Sequence, residues 1–413
     1  MTIEVQAVQR IRGFSEATFG ADSSSSAGSF TDLPIIEGTA TMTLTRDELD
    51  PGQLVQKRVQ GREYVLGKRS ATLSFQMNLA PTGTAAVTGQ SSITSPLGLL
   101  LKAIMGGQQL GAGTTATSGS TPIVINCTSG TPWESGYCMG WTNAAGVVEW
   151  REVKSRSSNA VTLHRGFSGS PATSDVLYNK ATYYLTANPA ESLAFIVEGL
   201  ESDDRWLLTG GQAEGGFTMS FDLTGGQIPR VTFNLSFARW YDSTETGTPL
   251  TGSLGTATYS ATETIVGEAG IYETWTVGSP TYATTQAVHV SALSFEPQIA
   301  FARYTSPSGI NTVKQWVASR TPIPVKGSFT TGYEAATWWT RRNSKTDIAQ
   351  QYVFGTTGAA SVVLSAPCTQ ILNPQRAADA SALAAQTIMW NGRMDSDTVA
   401  TTDVALSPVR IHL

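Results

Sequence analysis

Three histidines, His164, His289 and His412, stand on separate segments of a 413-residue chain, and none belongs to an H-E-x-x-H or Cys/His spacing. No metal ligand set is formed, and packing or surface positions are expected for all three. Asp47, Glu48 and Asp50, or Glu201, Asp203 and Asp204, could supply a glycosidase carboxylate pair or a calcium site. Each set falls between strand-like segments, where solvated charge is the ordinary outcome. Gly166-Phe167-Ser168-Gly169-Ser170 lacks the G-x-S-x-G spacing of a nucleophile elbow, and the glycines of TGGQAEGGF (209–217) do not match G-x-G-x-x-G and precede a strand. Both read as turns. Trp338 and Trp339, followed by Arg341 and Arg342, could stack on bases or sugars. Neighbouring helical residues face different ways, however, which suits one Trp in a core and one at a subunit contact. The expectation is a protein that is no enzyme and takes no cofactor or metal.

Composition narrows the class further. Charged residues make up 14% of the chain, against an average of about 25% in soluble proteins, and the formal net charge is −5. A chain that grips nucleic acid through phosphate neutralisation needs a basic stripe, so that role is disfavoured. No apolar run approaches the roughly 18–20 residues of a membrane span, and MTIEVQAVQRIRGF lacks the apolar core of a secretory signal, so folding in a cytoplasm and no membrane partner are expected. Cys127, Cys138 and Cys368 are too few for a disulfide framework and are expected as reduced packing residues.

Most segments alternate with period two, the signature of half-buried strands. In 71–79, Ala71, Leu73, Phe75, Met77 and Leu79 alternate with Thr72, Ser74, Gln76 and Asn78. The same pattern sets Phe217, Met219, Phe221 and Leu223 against Thr218, Ser220 and Asp222, and Val231, Phe233, Leu235 and Phe237 against Thr232, Asn234 and Ser236. Segment 38–46 sets Ala40, Met42 and Leu44 against Thr39, Thr41, Thr43 and Thr45. These strands share one oily face and one face of small neutral polar groups.

SPLGLLLKAIMGG (95–107) reads as a helix, with Ser95 as N-cap, Pro96 at its first position and a terminating glycine. Residues 121–187 carry short strands and turns spaced like an independent small β-barrel. A weak internal repeat places 287–303, 322–334, 350–366 and 383–393, with a helix near 334–346, in the order strand, strand, helix, strand, strand. The expected organisation is an N-terminal arm (1–30), a first domain (31–120 and 188–241), the inserted barrel (121–187), a connecting segment (242–286), a second domain (287–393) and a C-terminal tail (394–413).

Residues 31–79, a strand, a long polar loop and a strand, resemble the start of a phage tail tube protein of long non-contractile tails. The helix at Ser95–Met105 and the strands at 217–223 and 231–237 follow in that family's order. The resemblance implies a mainly β fold of tandem tail-tube-type β-sandwich domains, each with a flanking α-helix, plus the inserted barrel. It implies a virion structural protein, assembled in the host cytoplasm, whose rings stack into a tube for genome ejection. Its partners would be copies of itself, in trimeric rings with pseudo-sixfold symmetry, other tail proteins at the tube ends, and DNA passing without specific binding. On that reading Thr72, Ser74, Gln76, Asn78, Thr218, Ser220, Asp222, Thr232, Asn234 and Ser236 line the lumen. Asp47, Glu48, Asp50, Lys57, Arg58 and Arg62 belong to a loop that contacts the next ring. The rival is a tail-tip or surface adhesin, for which Trp133, Trp141 and Trp150 of the barrel would hold sugar.

Overall fold

The computed structural model describes residues 2–5, 8–16, 30–49, 65–80, 95–186, 191–199, 204–213, 218–222, 228–242, 270–277, 286–287, 290–296, 301–305, 313–318, 325–332, 335–355, 361–378, 384–394 and 402–413. The protein is mainly β, and its ladders are antiparallel. The chain opens with β1 (Thr2–Val5), β2 (Arg10–Glu16), β3 (Thr31–Asp32), β4 (Thr41–Leu49) and β5 (Val65–Asn78), followed by α1 (Pro96–Met105) and β6 (Gly106–Gln109). A separate sheet holds β7 (Thr114–Thr115), β8 (Val124–Asn126), β9 (Cys138–Thr142), β10 (Val148–Ser157), β11 (Ala160–Leu163) and β12 (Val176–Asn179). The large sheet resumes with β13 (Thr182–Leu185), β14 (Ser192–Glu198), β15 (Arg205–Gln212), β16 (Thr218–Asp222) and β17 (Arg230–Asp242). The second half supplies β18 (Gly270–Thr276), β19 (Gln286–Ala287), β20 (Val290–Glu296), β21 (Phe301–Thr305), β22 (Val313–Ala318), β23 (Lys326–Gly332), α2 (Ala335–Asn343), β24 (Ile348–Phe354), β25 (Val362–Ala378) and β26 (Ala384–Gly392). Last come α3 (Asp403–Leu406) and β27 (Arg410–His412).

The pairings of the two halves correspond. β2 pairs with β14 as β18 does with β24, and β14 pairs with β15 as β24 does with β25. β15 and β16 both pair with β17, while the single long β25 pairs with β26. β17 lies on β5 and β5 on β4, as β26 lies on β23 and β23 on β20. Each half places a helix after the equivalent of β5. A ladder between β16 and β20 then joins the halves edge to edge, so one sheet runs β4-β5-β17-β16-β20-β23-β26-β25.

Alternation decides which side of that sheet is core. Leu73, Phe75, Met77, Phe233, Leu293, Phe329 and Ile388 are buried against α1, α2 and the second layer in one continuous apolar cluster. α1 stays in register because the Ser95 side chain accepts from the Gly98 amide at 3.3 Å, and Gly106, at φ 87°, ends it by donating its N–H to the Lys102 carbonyl. Gly106 tolerates that left-handed conformation because it has no Cβ.

The inserted sheet closes into a small barrel. Its order is β7-β12-β9-β10-β11-β8, and an Ala116–Cys127 bridge joins the two ends, with the Thr117 amide on the Asn126 carbonyl at 2.7 Å. Trp133, Trp141, Met139, Val161, Leu163 and Phe167 fill it. The barrel sheet runs from Thr114 to Asn179, while β13, inside the span expected for the insert, pairs with β6 and β27 of the large sheet. All three cysteines are buried and free.

Three segments expected as connections carry ladder strands. β1 lies on β4 and β2 on β14 within the expected N-terminal arm, and β18 lies on β24 within the expected connecting segment. The expected C-terminal tail contains β27, paired on one side with β13 and on the other with β25, with Ile411, His412 and Leu413 buried. β27 can be buried because the charge of Arg410 is met by partners. Its guanidinium donates to Glu152 Oε2 at 3.0 Å and to the carbonyls of Val404 and Ala405 at 2.7 and 2.6 Å. Glu152 of the barrel also accepts from Ser365 and lies 3.2 Å from His412 Nε2, whose Nδ1 meets Thr182 Oγ1 at 2.9 Å. In a second cluster two barrel cations, Arg151 and Arg165, converge on Glu273 of β18, and the Lys180 ammonium donates to the Ser361 carbonyl. The barrel is therefore clamped to the second half and to the chain's last strand.

Burial opposes the charge on Glu152, but Arg410, His412 and His164 outweigh it and hold the carboxyl well below its ordinary range. Burial depresses His412, with Arg410 and Lys180 adding to the effect and Glu152 opposing it. Both folded-state values lie below the unfolded ones, so each group contributes stability that is present at high pH and lost as pH falls. Unfolding free energy should decline first below about pH 6.5, through His412, and again below about pH 4.3, through Glu152. Chemical denaturation across pH should show both limbs, and His412→Gln should remove the first. Glu152→Ala, which strands a buried Arg410, should cost about 3–5 kcal/mol at neutral pH.

Candidate functional site

The face opposite the core is built from the residues that alternate with it. On β5, Thr72 is exposed and Ser74, Gln76 and Asn78 are half-buried, between the buried Ala71, Leu73, Phe75 and Met77. Register carries this face sideways: Thr43 and Ser236 flank Thr72, Thr41 and Asn234 flank Ser74, and Thr232 lies beside Gln76. One unbroken row runs Asn78, Arg230, Ser220, Ser294, Ser328, Met389, Asn373, crossing the junction between the halves at Ser220–Ser294.

Hydroxyls and amides dominate the face, with the exposed Arg230 and Met389 as the exceptions along that row. Ser74 Oγ donates to Asn234 Oδ1 at 2.8 Å, and Thr330 and Thr387 hydroxyls meet at 3.0 Å on the second half. Thr41, Thr43, Thr72, Ser74, Asn234 and Ser236 line a shallow depression of about 210 Å³. Ser236 is buried among them and the others remain accessible. Charge sits towards the ends of the strands: Arg230 is exposed, and Glu296 is the register partner of Lys326.

Of the residues expected on this face, Thr72, Ser74, Gln76, Asn78, Thr232, Asn234, Ser236, Thr218 and Ser220 share it by register, and Asp222 follows on the same strand opposite Ala292. The sequence pattern did not bring in Ser294, Ser328, Thr330, Thr387 or Met389. β23 alternates poorly because Gly327 and Thr331 occupy core-side positions, and β26 because Gln386 is buried and Met389 exposed. A Cβ on Gly327 would come within 2.1 Å of the Trp390 ring, so an indole from the next strand fills the place of an apolar side chain there. Of the expected inter-ring loop, Asp47 and Glu48 lie on β4, which extends to Leu49 through a bulge between Arg46 and Glu48, and Asp47 is exposed. Asp50, Lys57, Arg58 and Arg62 lie outside the described residues.

The other chemical candidates resolve into packing. Ser168 donates its hydroxyl and its amide to Glu149, closing the turn at Gly166–Ser170. Burial disfavours the charged Glu149, but hydrogen bonds from Ser168 and Asn143 and the nearby Arg151 keep its carboxyl below the ordinary value. His412 is enclosed by Glu152, Ser365 and Thr182. Among the described residues no group of His, Cys, Asp and Glu side chains is arranged to hold a metal, and no helix is long and apolar enough to cross a membrane. Asp204 is exposed, and Glu201 and Asp203 lie outside the described residues, as does His289. Trp133, Trp141 and Trp150 are buried, at 0%, 7% and 2% exposure, which removes them as an open sugar platform. Trp338 is in the core against Phe329, whereas Trp339 is 39% exposed under the Arg342 guanidinium.

The chain matches no protein-family model and no curated protein.

The two faces of β5 should respond oppositely to substitution. Ser74→Lys with Gln76→Lys, both at accessible positions, should change stability by no more than about 0.5 kcal/mol, whereas Phe75→Ala between them should cost about 3–5 kcal/mol. Urea titrations of the two variants check this.

Proposed function

We propose that the chain is a virion structural protein that polymerises into stacked rings and forms a phage tail tube through which the genome is ejected. The observation that carries this reading is the uninterrupted row from Asn78 to Asn373 on one sheet made of two equivalent halves. A sheet joined internally by its own repeat can be continued by another copy in the same way. The equivalent of the β16 edge at the far end is the Gln370–Ala378 part of β25. It pairs with β26 on one side and with no described strand on the other. Closure around an axis removes such edges, and cyclic symmetry is the usual way to achieve it.

With strands about 4.8 Å apart and tilted as in barrels, three copies of an eight-stranded sheet give a backbone diameter of roughly 40–50 Å, room for a duplex. The polar face would then surround the channel. Hydroxyls and amides provide neither the phosphate pairing of lysine and arginine nor the stacking of exposed aromatics, and Arg230 is the one cation in the row, so most of the wall would let DNA slide without being held. The apolar cluster, the helices and the clamped barrel would lie outside the channel. An adhesin reading has less support, because the barrel tryptophans face inward or against the second half.

Cryo-electron microscopy of the assembled protein should show rings of three chains with pseudo-sixfold walls; rings of six chains would contradict the pairing of halves within one chain. In virions, Ser74→Lys with Gln76→Lys should form a cationic collar that slows ejection most strongly at low salt, while asparagine at the same positions should leave it unchanged. Ejection kinetics across a salt series read the difference.

A further inference from the structure

We infer that the N-terminal strand β1 caps the β4 edge of the free chain and gives way to the Gln370–Ala378 edge of a second copy when a ring closes. The inference rests on the tube reading above and adds a controlled step to it. β4 and β20 are equivalent strands: each has the equivalent of β5 on one side. On its other side β20 carries β16, antiparallel, with Met219 opposite Phe295 and Phe221 opposite Leu293. On its other side β4 carries β1, also antiparallel, with Ile3 opposite Leu44 and Val5 opposite Met42. β1 therefore holds, in the same antiparallel direction, the slot that the repeat assigns to the outermost strand of a neighbouring unit.

The occupant of that slot in a ring follows from the internal junction. In the sheet the outermost strand of the first half, β16, sits on the outermost strand of the second, β20, so the strand at the far edge of the second half, β25, belongs on β4 of the next copy. β1 is a four-residue strand, and the part of β25 whose described ladder is with β26 alone, Gln370–Ala378, is longer. Exchange replaces a short ladder by a longer one between ordered elements. β25 carries its own safeguards against random pairing: a bulge between Ile371 and Asn373, Pro374 within the strand, and the Leu372 carbonyl accepting from Arg342 Nε at 2.6 Å. With one edge capped and the other guarded, free chains in solution would resist polymerising until an existing ring end offers a template.

A disulfide across the β1–β4 ladder tests the exchange. Glu4 and Thr43 are register partners, so the Glu4→Cys, Thr43→Cys chain can be locked by oxidation, the native cysteines being buried. The oxidised variant should remain folded by circular dichroism and lose tube formation. Reduction should restore assembly to the level of each single variant. Removal of residues 1–7 should lower the protein concentration at which tubes appear. Tubes formed with the disulfide intact, or loss of assembly in a folded deletion variant, would overturn the inference by making β1 a permanent wall strand. Failure of the wild-type chain to form rings under any condition would instead overturn the tube reading itself.

Discussion

The ladder between β16 and β20 sets the geometry of everything around it. Antiparallel pairing fixes register residue by residue, and a slip of one position would turn every side chain of a half to the wrong face. Because Met219 and Phe221 lie opposite Phe295 and Leu293, the apolar sides of both halves meet, and Ser220 and Ser294 are left facing each other on the reverse. One core and one polar surface then run across two halves that could otherwise have folded as separate sandwiches. The same constraint explains why the helices lie on one side only, since the buried stripes of α1 and Trp338 of α2 can be covered only where the sheet is apolar.

A surface of this kind has a second requirement, rigidity, and the buried charges around Glu152 address it. Glu152, Arg410 and His412 come from the barrel and the last strand, while Arg151 and Arg165 reach from the barrel to Glu273. Breaking such a buried pair leaves an uncompensated charge, so the arrangement resists sliding of the barrel over the sheet more strongly than an apolar contact would. Cys138 and Trp150 add an apolar patch against Val353 and Val363 at the same junction. The barrel is thereby fixed to the layer that lies behind the polar face.

Much of this was legible in the sequence, and the exceptions have physical causes. Strict alternation in 71–79, 218–222 and 231–237 located strands and faces together, and Ser95, Pro96 and the terminating glycine located α1. β27 was not legible, because the alternation of Arg410, Ile411 and His412 is too short to mark a strand, and burial of its two polar side chains depends on partners hundreds of residues away, Glu152 and Thr182. β18 was hidden in a Thr- and Gly-rich stretch, and its Glu273 gave no sign of the two arginines that make its burial possible. The second half of the polar face was obscured where Gly327 makes room for Trp390 and where Met389 stands among hydroxyls. The tryptophans of the barrel could be offered to the rival adhesin reading because composition alone cannot tell an inward ring from an outward one.

The central claim is that the face carrying Ser74 becomes the inside of a closed wall, and thiol accessibility measures this directly. A Ser74→Cys chain and a Ser118→Cys chain, the latter exposed on the barrel, are each treated before and after assembly with a small maleimide and with one carrying a bulky polymer. Free chains should react at both positions with both reagents. In assembled material Cys at position 118 should still take both, while Cys at position 74 should take the small reagent and exclude the bulky one. Equal reaction of both positions with the bulky reagent after assembly would contradict the account.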